Sequence, residues 1–599
     1  TSCRAALGTR FRVLSNDTND GLATAVRAAL LARGLTCTDE ADAIVIDLRG
    51  AAHDVEGDVP ATAHRRTVEA IATAQETASP LVLVTQGAIA IRAQDLLSPS
   101  AATIWGVGRA LQVEYPGRLG MLLDLDPAMS VSAQAESLVR VLLAPPDEDM
   151  VAIRGQGTLV PRLTRTAAPT GRALDVIGSG CTVITGGTGG LGLAFAHRLL
   201  DEGVRDIALI GRRPMADADF TAVAARAQAL NAAVTVHAIN VADGIALHAL
   251  FEKLAAATRA VTAIYHLAGV LDDAALLAQD PDRIARVLAP KVDGAWHLRR
   301  LAETYGVKLL VFFSSISSLL PAPGQASYAA ANAFLDGLAM EARAAGIDAH
   351  SINWGPWAGT GHAATAYGRA AHAHLASLGV RALTQTRGLD ILLRVGTGGV
   401  APLIVADVDW GQLAASDPLA ARMGLLRTVI GSASGSASRV DTRRDATAAA
   451  PVPSSATSTT PASTSAPVAS AAPVFTALAL TWAALDDASR RARLFTHLAD
   501  AIRATLKRSA ADTIPPRQPL FDFGLDSILA LELKDHLERD FGIALKTTVL
   551  FTHPTLEALV DHLLPLLPAA AGVHAPVLSA GDDIEALLRN ALQSQANTE

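Results

Sequence analysis

Between Gly431 and Val474 the chain runs for 44 residues without an aromatic residue, leucine or isoleucine, in a mixture dominated by Ala, Ser, Thr and Pro. A stretch of this composition buries too little apolar surface to offset the entropy of ordering it. Residues 431–474 are therefore predicted to be a disordered linker, and as a flexible coil they span about 35–40 Å root-mean-square. No single compact fold passes through such a segment, so the 599 residues must divide into a large N-terminal block and a small C-terminal one. At roughly 150 residues per domain, the length allows about four domains.

Charge and cysteine usage narrow the function classes. With 50 basic against 58 acidic residues and no basic run, the net charge of −8 argues against a nucleic-acid partner. Cys3, Cys37 and Cys181 form no CxxC pair and no Cys/His cluster, so neither a disulfide framework nor a metal site is expected. A reducing, cytoplasmic setting is the simplest expectation. No apolar run approaches the ~18 residues of a membrane span, so no membrane partner is expected. The chain opens on Thr1 without a signal-like segment and reads as a piece of a longer polypeptide.

The large block alternates strand and helix twice. FRVLS (11–15), AIVIDL (43–48), LVLVT (81–85) and MLLDLD (121–126) read as buried parallel strands of a first half. CTVITGG (181–187), DIALIGR, VTVHAIN, AIYHLAG, KLLVFFSS, AHSINWG and PLIVADV form a second series. The small block is helical throughout. The fold class is thus α/β: two Rossmann-like doubly wound halves (1–165 and 166–430), the linker, then an all-α bundle (475–567). A tail over 568–599 ends in one short amphipathic helix that either docks to a partner or closes the chain as disordered polypeptide.

Thr185, Gly186, Gly187, Thr188, Gly189, Gly190, Leu191 and Gly192 read TGGTGGLG, directly between a strand and a helix. Glycines at 186, 190 and 192 let backbone approach a pyrophosphate at a helix N-terminus, where free N–H groups favour anions. The first half has no such triplet after FRVLS and is expected to bind no nucleotide. At the end of the next strand Arg212 and Arg213 stand where an acidic residue would select NADH; a guanidinium suits a 2′-phosphate, so NADPH is predicted. Asn240 and Val241 end the following strand, where an adenine edge can be read.

Tyr328 and Asn332, four apart in PGQASYAAANAFLDGLA, share a helix face. Ser315 ends KLLVFFSS, at the sheet edge where parallel α/β proteins place their chemistry. Hydride transfer to a ketone requires a proton at its oxygen, and a tyrosine supplies one near neutral pH when a cation lowers its pKa. Lys291, in PKVDGAWHL, is the candidate cation.

Together these residues resemble the short-chain dehydrogenase/reductase superfamily and, more closely, the ketoreductases of polyketide synthases. Tyr328-x3-Asn332 departs from the superfamily's Tyr-x3-Lys, but in these ketoreductases Lys and Asn exchange places, which fits Lys291. HLAGVLDDA, FSSISS and NWGPW are similar to family motifs, and TIWGVGRALQVEYPGRLGMLLDLD (103–126) resembles the family's structural subdomain. The resemblance implies that Tyr328 protonates a β-ketone reduced by NADPH, Ser315 hydrogen-bonds it, Lys291 lowers the tyrosine's pKa, and Asn332 supports Lys291 or a water. It adds Ala268 and Gly269 to the cofactor set and makes Asp273, Leu320 and Trp357 substrate-orienting. Asp273 in Leu-Asp-Asp, with Leu320 rather than Trp eight residues before the tyrosine, implies a B-type enzyme and a D-configured alcohol; Ala330 implies no coupled epimerisation. Trp357–Val380 resembles a lid, and His350, His362, His372 and His374 around it have no ligand partners in spacing.

FDFGLDSILALEL (521–533) resembles the attachment site of an acyl carrier protein, with Asp526 as N-cap and Ser527 as the acceptor of 4′-phosphopantetheine. The partners implied are a carrier-bound β-ketoacyl substrate, a phosphopantetheinyl transferase, and upstream ketosynthase, acyltransferase and optional dehydratase domains. The alternative is a catalytically silent, structural reductase that only supports the carrier.

Overall fold

The computed structural model describes residues 9–16, 20–40, 42–52, 54, 59–92, 95–155, 157–167, 173–257, 259–359, 372–373, 375–395, 402–436, 485–506, 508–509, 512–518, 520, 525, 527–543, 545, 549–553 and 555–567. They fall in two compact units divided between Val452 and Pro453.

In the larger unit the first sheet comprises β1 (Arg10–Leu14), β2 (Thr36–Cys37), β3 (Ile44–Gly50), β4 (Leu81–Gln86), β5 (Leu119–Leu125), β6 (Met150–Arg154) and β7 (Gly157–Leu159). Its order is β2-β1-β3-β4-β5-β6-β7, parallel until β7 turns back antiparallel on β6. The second sheet holds β8 (Cys181–Thr185), β9 (Asp206–Gly211), β10 (Ala233–Ala238), β11 (Val261–His266), β12 (Leu309–Ser315), β13 (Ala349–Trp354) and, after β14 (Val380–Arg381), β15 (Leu403–Val405). Its order is β10-β9-β8-β11-β12-β13-β15, so the strand order reverses between β8 and β11. Ligands of open α/β sheets bind at such a reversal.

The expected strands form because helices cover both faces, and strands buried on both faces read as nearly unbroken apolar runs. β2, the β6–β7 hairpin and the pairing of β14 with β16 (Asp407–Val408) were not anticipated; β15 and β16 divide the one expected strand PLIVADV between them. β2, β14 and β16 are two residues each, and β7 is wholly exposed, so neither length nor apolar pattern marks them.

The two halves share a core. One buried cluster runs from Ala101, Trp105 and Val107 of the first half to Ala330, Phe334 and Leu338 of the second. The helix Pro99–Glu114 packs on the helix Ala326–Ala344 more extensively than any other pair of elements. Their approach depends on Gly106, where a Cβ would lie 2.5 Å from the Ala329 carbonyl carbon and the Ala330 nitrogen.

In the smaller unit the helices Asp487–Thr505, Ser527–Phe541, Val549–Thr552 and Leu556–Leu563 bury Leu494, Leu498, Leu533, Leu537 and Leu559. Asp486 and Thr555 cap two of them by accepting from Ser489 N at 2.9 Å and Ala558 N at 3.1 Å. The helix Arg427–Ser436 takes in the opening of the expected linker, so ordered structure extends past 431. The rest of the linker and the tail lie outside the described residues. Among the described residues no helix is long and apolar enough to cross a membrane.

Candidate functional site

The glycine segment folds as a cradle. Gly186 has φ +68°, and Cβ atoms at Gly187 and Gly192 would lie 2.7 Å from the Ile184 carbonyl oxygen and 2.4 Å from that of Gly186. Only glycine fits this close approach of backbone to backbone. Gly189 N donates to Gly186 O at 3.1 Å, and the helix Gly190–Asp201 begins there with no side-chain cap. Its unsatisfied first-turn N–H groups can take a phosphate. Thr188 lies over Gly211, beside exposed Arg212 and Arg213 at the end of β9. These residues fit a phosphorylated dinucleotide: the cradle and helix terminus would hold the pyrophosphate, and the two guanidinium groups a 2′-phosphate. Asn240 is exposed, whereas Val241 is buried against Gly294. Val241 thus packs in the core, while the exposed Asn240 side chain accepts from Ala242 N through Oδ1 at 3.3 Å and keeps its Nδ2 towards solvent-accessible space.

A continuous set of contacts leads from the cradle to the chemistry. A Cβ on Gly186 would lie 3.0 Å from Ala268 N, and one on Gly269 would lie 3.0 Å from Lys291 Cε. Lys291 ends the helix Pro281–Lys291; its Nζ donates to Phe313 O at 2.8 Å and lies 5.7 Å from the centre of the Tyr328 ring. Burial pulls the Lys291 amine down to about 8, against the favourable field of Asp336. Ser315 Oγ donates to Ser317 Oγ at 3.1 Å, and Asn332 Nδ2 donates to Tyr328 O at 2.8 Å.

Burial pushes the Tyr328 hydroxyl up, the Asn332 and Ser315 side chains oppose this, and Asp273 adds to it. This corrects the expected direction. The Lys291 ammonium stands over the ring and is hydrogen-bonded to the Phe313 carbonyl, so desolvation dominates.

Asp273 accepts from Gln325 Nε2 at 3.2 Å, and neighbouring Asp272 is paired with Arg286 at 2.7 Å. Leu320 is half-buried and packs on the shared core. Trp357 packs on Trp354 with ring centres 4.7 Å apart and planes tilted by 57°, and covers Gly388, so its packing partners account for its position. Of the histidines, His350 is buried beside Asp348 at 2.9 Å; His362, His374 and most of the expected lid lie outside the described residues. Among the described residues no three His, Cys, Asp or Glu side chains cluster as metal ligands. Ser527 opens the helix Ser527–Phe541, while Asp526 lies outside the described residues.

Other site residues were not anticipated. Asp336 accepts from Ser351 Oγ at 2.5 Å, Ser318 Oγ at 2.7 Å and Asn353 Nδ2 at 2.8 Å. Arg109 of the first half donates to Ser318 O at 2.6 Å, and burial lowers its pKa to about 10, with Asp336 opposing. Asp336 is thus the counter-charge behind both Lys291 and Arg109. His266, buried with Nδ1 2.7 Å from Thr185 Oγ1, is held neutral: burial and then the Lys291 charge lower it to about 3. The only signal in the sequence was that Asp336, Asn353 and His266 lie inside the quoted motifs; Arg109 lies in the longer 103–126 segment.

The fold and this cradle-to-tyrosine arrangement define a nucleotide-binding α/β unit joined to a helical carrier-like unit. Three family models match: "KR domain" over 180–359, "Polyketide synthase extender module SpnB, Rossmann fold domain" over 5–163, and "Phosphopantetheine attachment site" over 496–563. The chain is similar to the solved "Structure of A-type Ketoreductases from Modular Polyketide Synthase", with 30% identity, TM-score 0.64, and 72% of this chain and 96% of that one covered. The first ketoreductase of the tylosin synthase matches at 29% identity and TM-score 0.58, covering 72% of this chain and 97% of that one. Among curated relatives, "Polyketide synthase GfsA" of Streptomyces halstedii is 34% identical over 82% of this chain, and "Pikromycin polyketide synthase component PikAIII" of Streptomyces venezuelae 33% over 86%. The chain spans 6% and 31% of those two relatives' lengths. The chain belongs to the ketoreductases of polyketide synthases and carries a phosphopantetheine-attachment unit on the same polypeptide. The cofactors of these two families are NADPH and 4′-phosphopantetheine.

Proposed function

We propose that this chain reduces the β-ketone of a carrier-bound β-ketoacyl thioester and yields the D-configured β-hydroxyacyl product, with the adjoining unit tethering the intermediate through Ser527. The observation that carries this reading is the unbroken run of contacts from Gly186 through Ala268–Gly269 and Lys291 to Tyr328. Bound NADPH supplies the hydride. Tyr328 Oη gives its proton to the developing alkoxide, Ser315 Oγ turns its one hydroxyl proton from Ser317 Oγ to the same oxygen, and Lys291 holds positive charge over the Tyr328 ring. The raised pKa of Tyr328 keeps that proton in place until negative charge forms on the substrate.

The product configuration rests on Asp273, whose charge acts on the Tyr328 hydroxyl, and on Leu320 where A-type enzymes carry Trp. Two neighbouring structures are titled A-type or A1-type, at 30% identity; Leu320 in place of a Trp is what supports the B-type reading against that likeness. The whole synthase would supply the substrate from upstream ketosynthase and acyltransferase domains in the cytoplasm, and a phosphopantetheinyl transferase would load Ser527.

Incubation of the chain with NADPH and a β-ketoacyl pantetheine thioester tests this, read by cofactor oxidation and chiral chromatography. A D-configured alcohol is expected. An L-configured product would remove the B-type assignment, and absence of oxidation would favour a silent, structural reductase.

A further inference from the structure

A buried carboxylate of the first half reaches across the shared core to two segments of the second. Glu114 ends the helix Pro99–Glu114 and is 1% exposed. Its Oε2 accepts from Leu276 N at 2.7 Å and its Oε1 from Gly324 N at 3.0 Å. Among the described residues it has no ion-pair partner, and burial pushes its carboxyl up to about 7, partly offset by these two N–H groups. A buried carboxylate without a cation is costly, so its place here asks what the two bonds hold.

Both held segments lead to the reacting groups. Ala274 N donates to Gly324 O at 3.0 Å, which joins the segments to each other. From the first, Asp273 receives Gln325 Nε2 at 3.2 Å and acts on the Tyr328 hydroxyl through its charge. From the second, Gln325 Oε1 accepts from Ser317 Oγ at 2.9 Å, and Ser317 Oγ accepts from Ser315 Oγ at 3.1 Å. Gln325 is also the residue from which the Tyr328 helix starts. Gln75, likewise of the first half, donates to Leu276 O at 3.1 Å and Gln279 O at 2.8 Å.

We propose that Glu114 is a positioning residue: its two carboxylate oxygens fix the spacing between segments 273–276 and 324–325, and through them the placement of Asp273, Ser315 and Tyr328 around the ketone. An amide cannot replace it. Glutamine has one acceptor oxygen, and its NH2 would face a second backbone donor. One segment would then be released while the fold is kept. The consequence for stereochemical fidelity rests on the ketoreduction proposed above; the clamp itself does not.

Glu114→Gln in the full chain is the test, read first by hydrogen exchange. Peptides covering 273–279 or 322–326 should exchange at least about tenfold faster, the effect of losing one hydrogen bond to a charged group, while β8 and β12 keep their protection. Gln75→Ala, an exposed site that threatens the fold little, should loosen only 276–279. With a β-ketoacyl pantetheine thioester, the Glu114→Gln variant should raise the minor enantiomer by about tenfold for the same reason, and turnover of a small cyclic ketone should fall as well, because Ser315 and Tyr328 lose their fixed placement. Unchanged exchange in both segments would overturn the clamp, as would uniform loosening of the strands along with them. Faster exchange with an unchanged enantiomer ratio would overturn its role in placing the ketone. A wild-type chain that reduces neither substrate would refute the ketoreductase reading, and the exchange comparison would still decide the clamp.

Discussion

Gly21 and Gly192 occupy the same place in the two halves, each in the first turn of the helix that follows the first strand of its sheet. A Cβ on Gly21 would meet nothing within 4 Å, whereas one on Gly192 would lie 2.4 Å from the Gly186 carbonyl oxygen. The same architecture therefore has two uses. In the second half the turn is wound tightly enough to offer backbone N–H groups to an anion. In the first half Gly21 stands in open space, and the contribution comes from the side, through the helix Pro99–Glu114 against the tyrosine's helix. A half without a cradle still shapes the chemistry, because the element bearing Tyr328 is packed on it.

The contrast can be broken at graded positions. Tyr328→Phe should lower turnover at least about 100-fold, the low end of general-acid contributions, with NADPH affinity unchanged by fluorescence titration; retained turnover would place the proton donor elsewhere. Gly192→Val should weaken NADPH binding by about 10- to 100-fold, since distorting the cradle forfeits hydrogen bonds to a charged group. Gly106→Val crosses the boundary between halves. Overpacking against the Ala329–Ala330 backbone should cost about 1–3 kcal/mol in urea unfolding and lower turnover more than cofactor affinity. Were turnover untouched, the first half would be a passive support.

Lys291 gives a pH test. Burial holds its amine near 8, below the 10.5 of a free lysine. Between those values the unfolded chain binds a proton that the folded chain lacks, so stability rises with pH across that window. Lys291→Met should remove this component: its unfolding midpoint should gain most on the wild type below pH 8 and least near 10.5. A constant difference would contradict the burial of the charge. The smallest effect belongs to Gly21→Ala, neutral or stabilising by up to about 1 kcal/mol, with activity unchanged. A loss of cofactor affinity there would show that the first half also holds nucleotide.

Much of this protein was legible in its residues because the signals are local. Strands buried on both faces must be apolar along their length, so the principal parallel strands of both halves stood out. A turn that admits only glycine leaves glycines behind, and Tyr328, Asn332 and Ser315 carry their spacing within one strand and one helix. What the sequence could not show is long-range pairing. Glu114 meets Leu276 and Gly324 across 162 and 210 residues, and Arg109 meets Ser318 across 209. No local pattern encodes which buried donor faces which acceptor. The direction of the Tyr328 shift was likewise decided in three dimensions: a lysine near in sequence motif proved to stand over the ring, and desolvation outweighed the hydrogen bonds to the hydroxyl. Composition and spacing determined which groups are present and on which element. Burial and the meeting of the two halves decided their partners, because desolvation and hydrogen-bond geometry exist only once the chain has closed on itself.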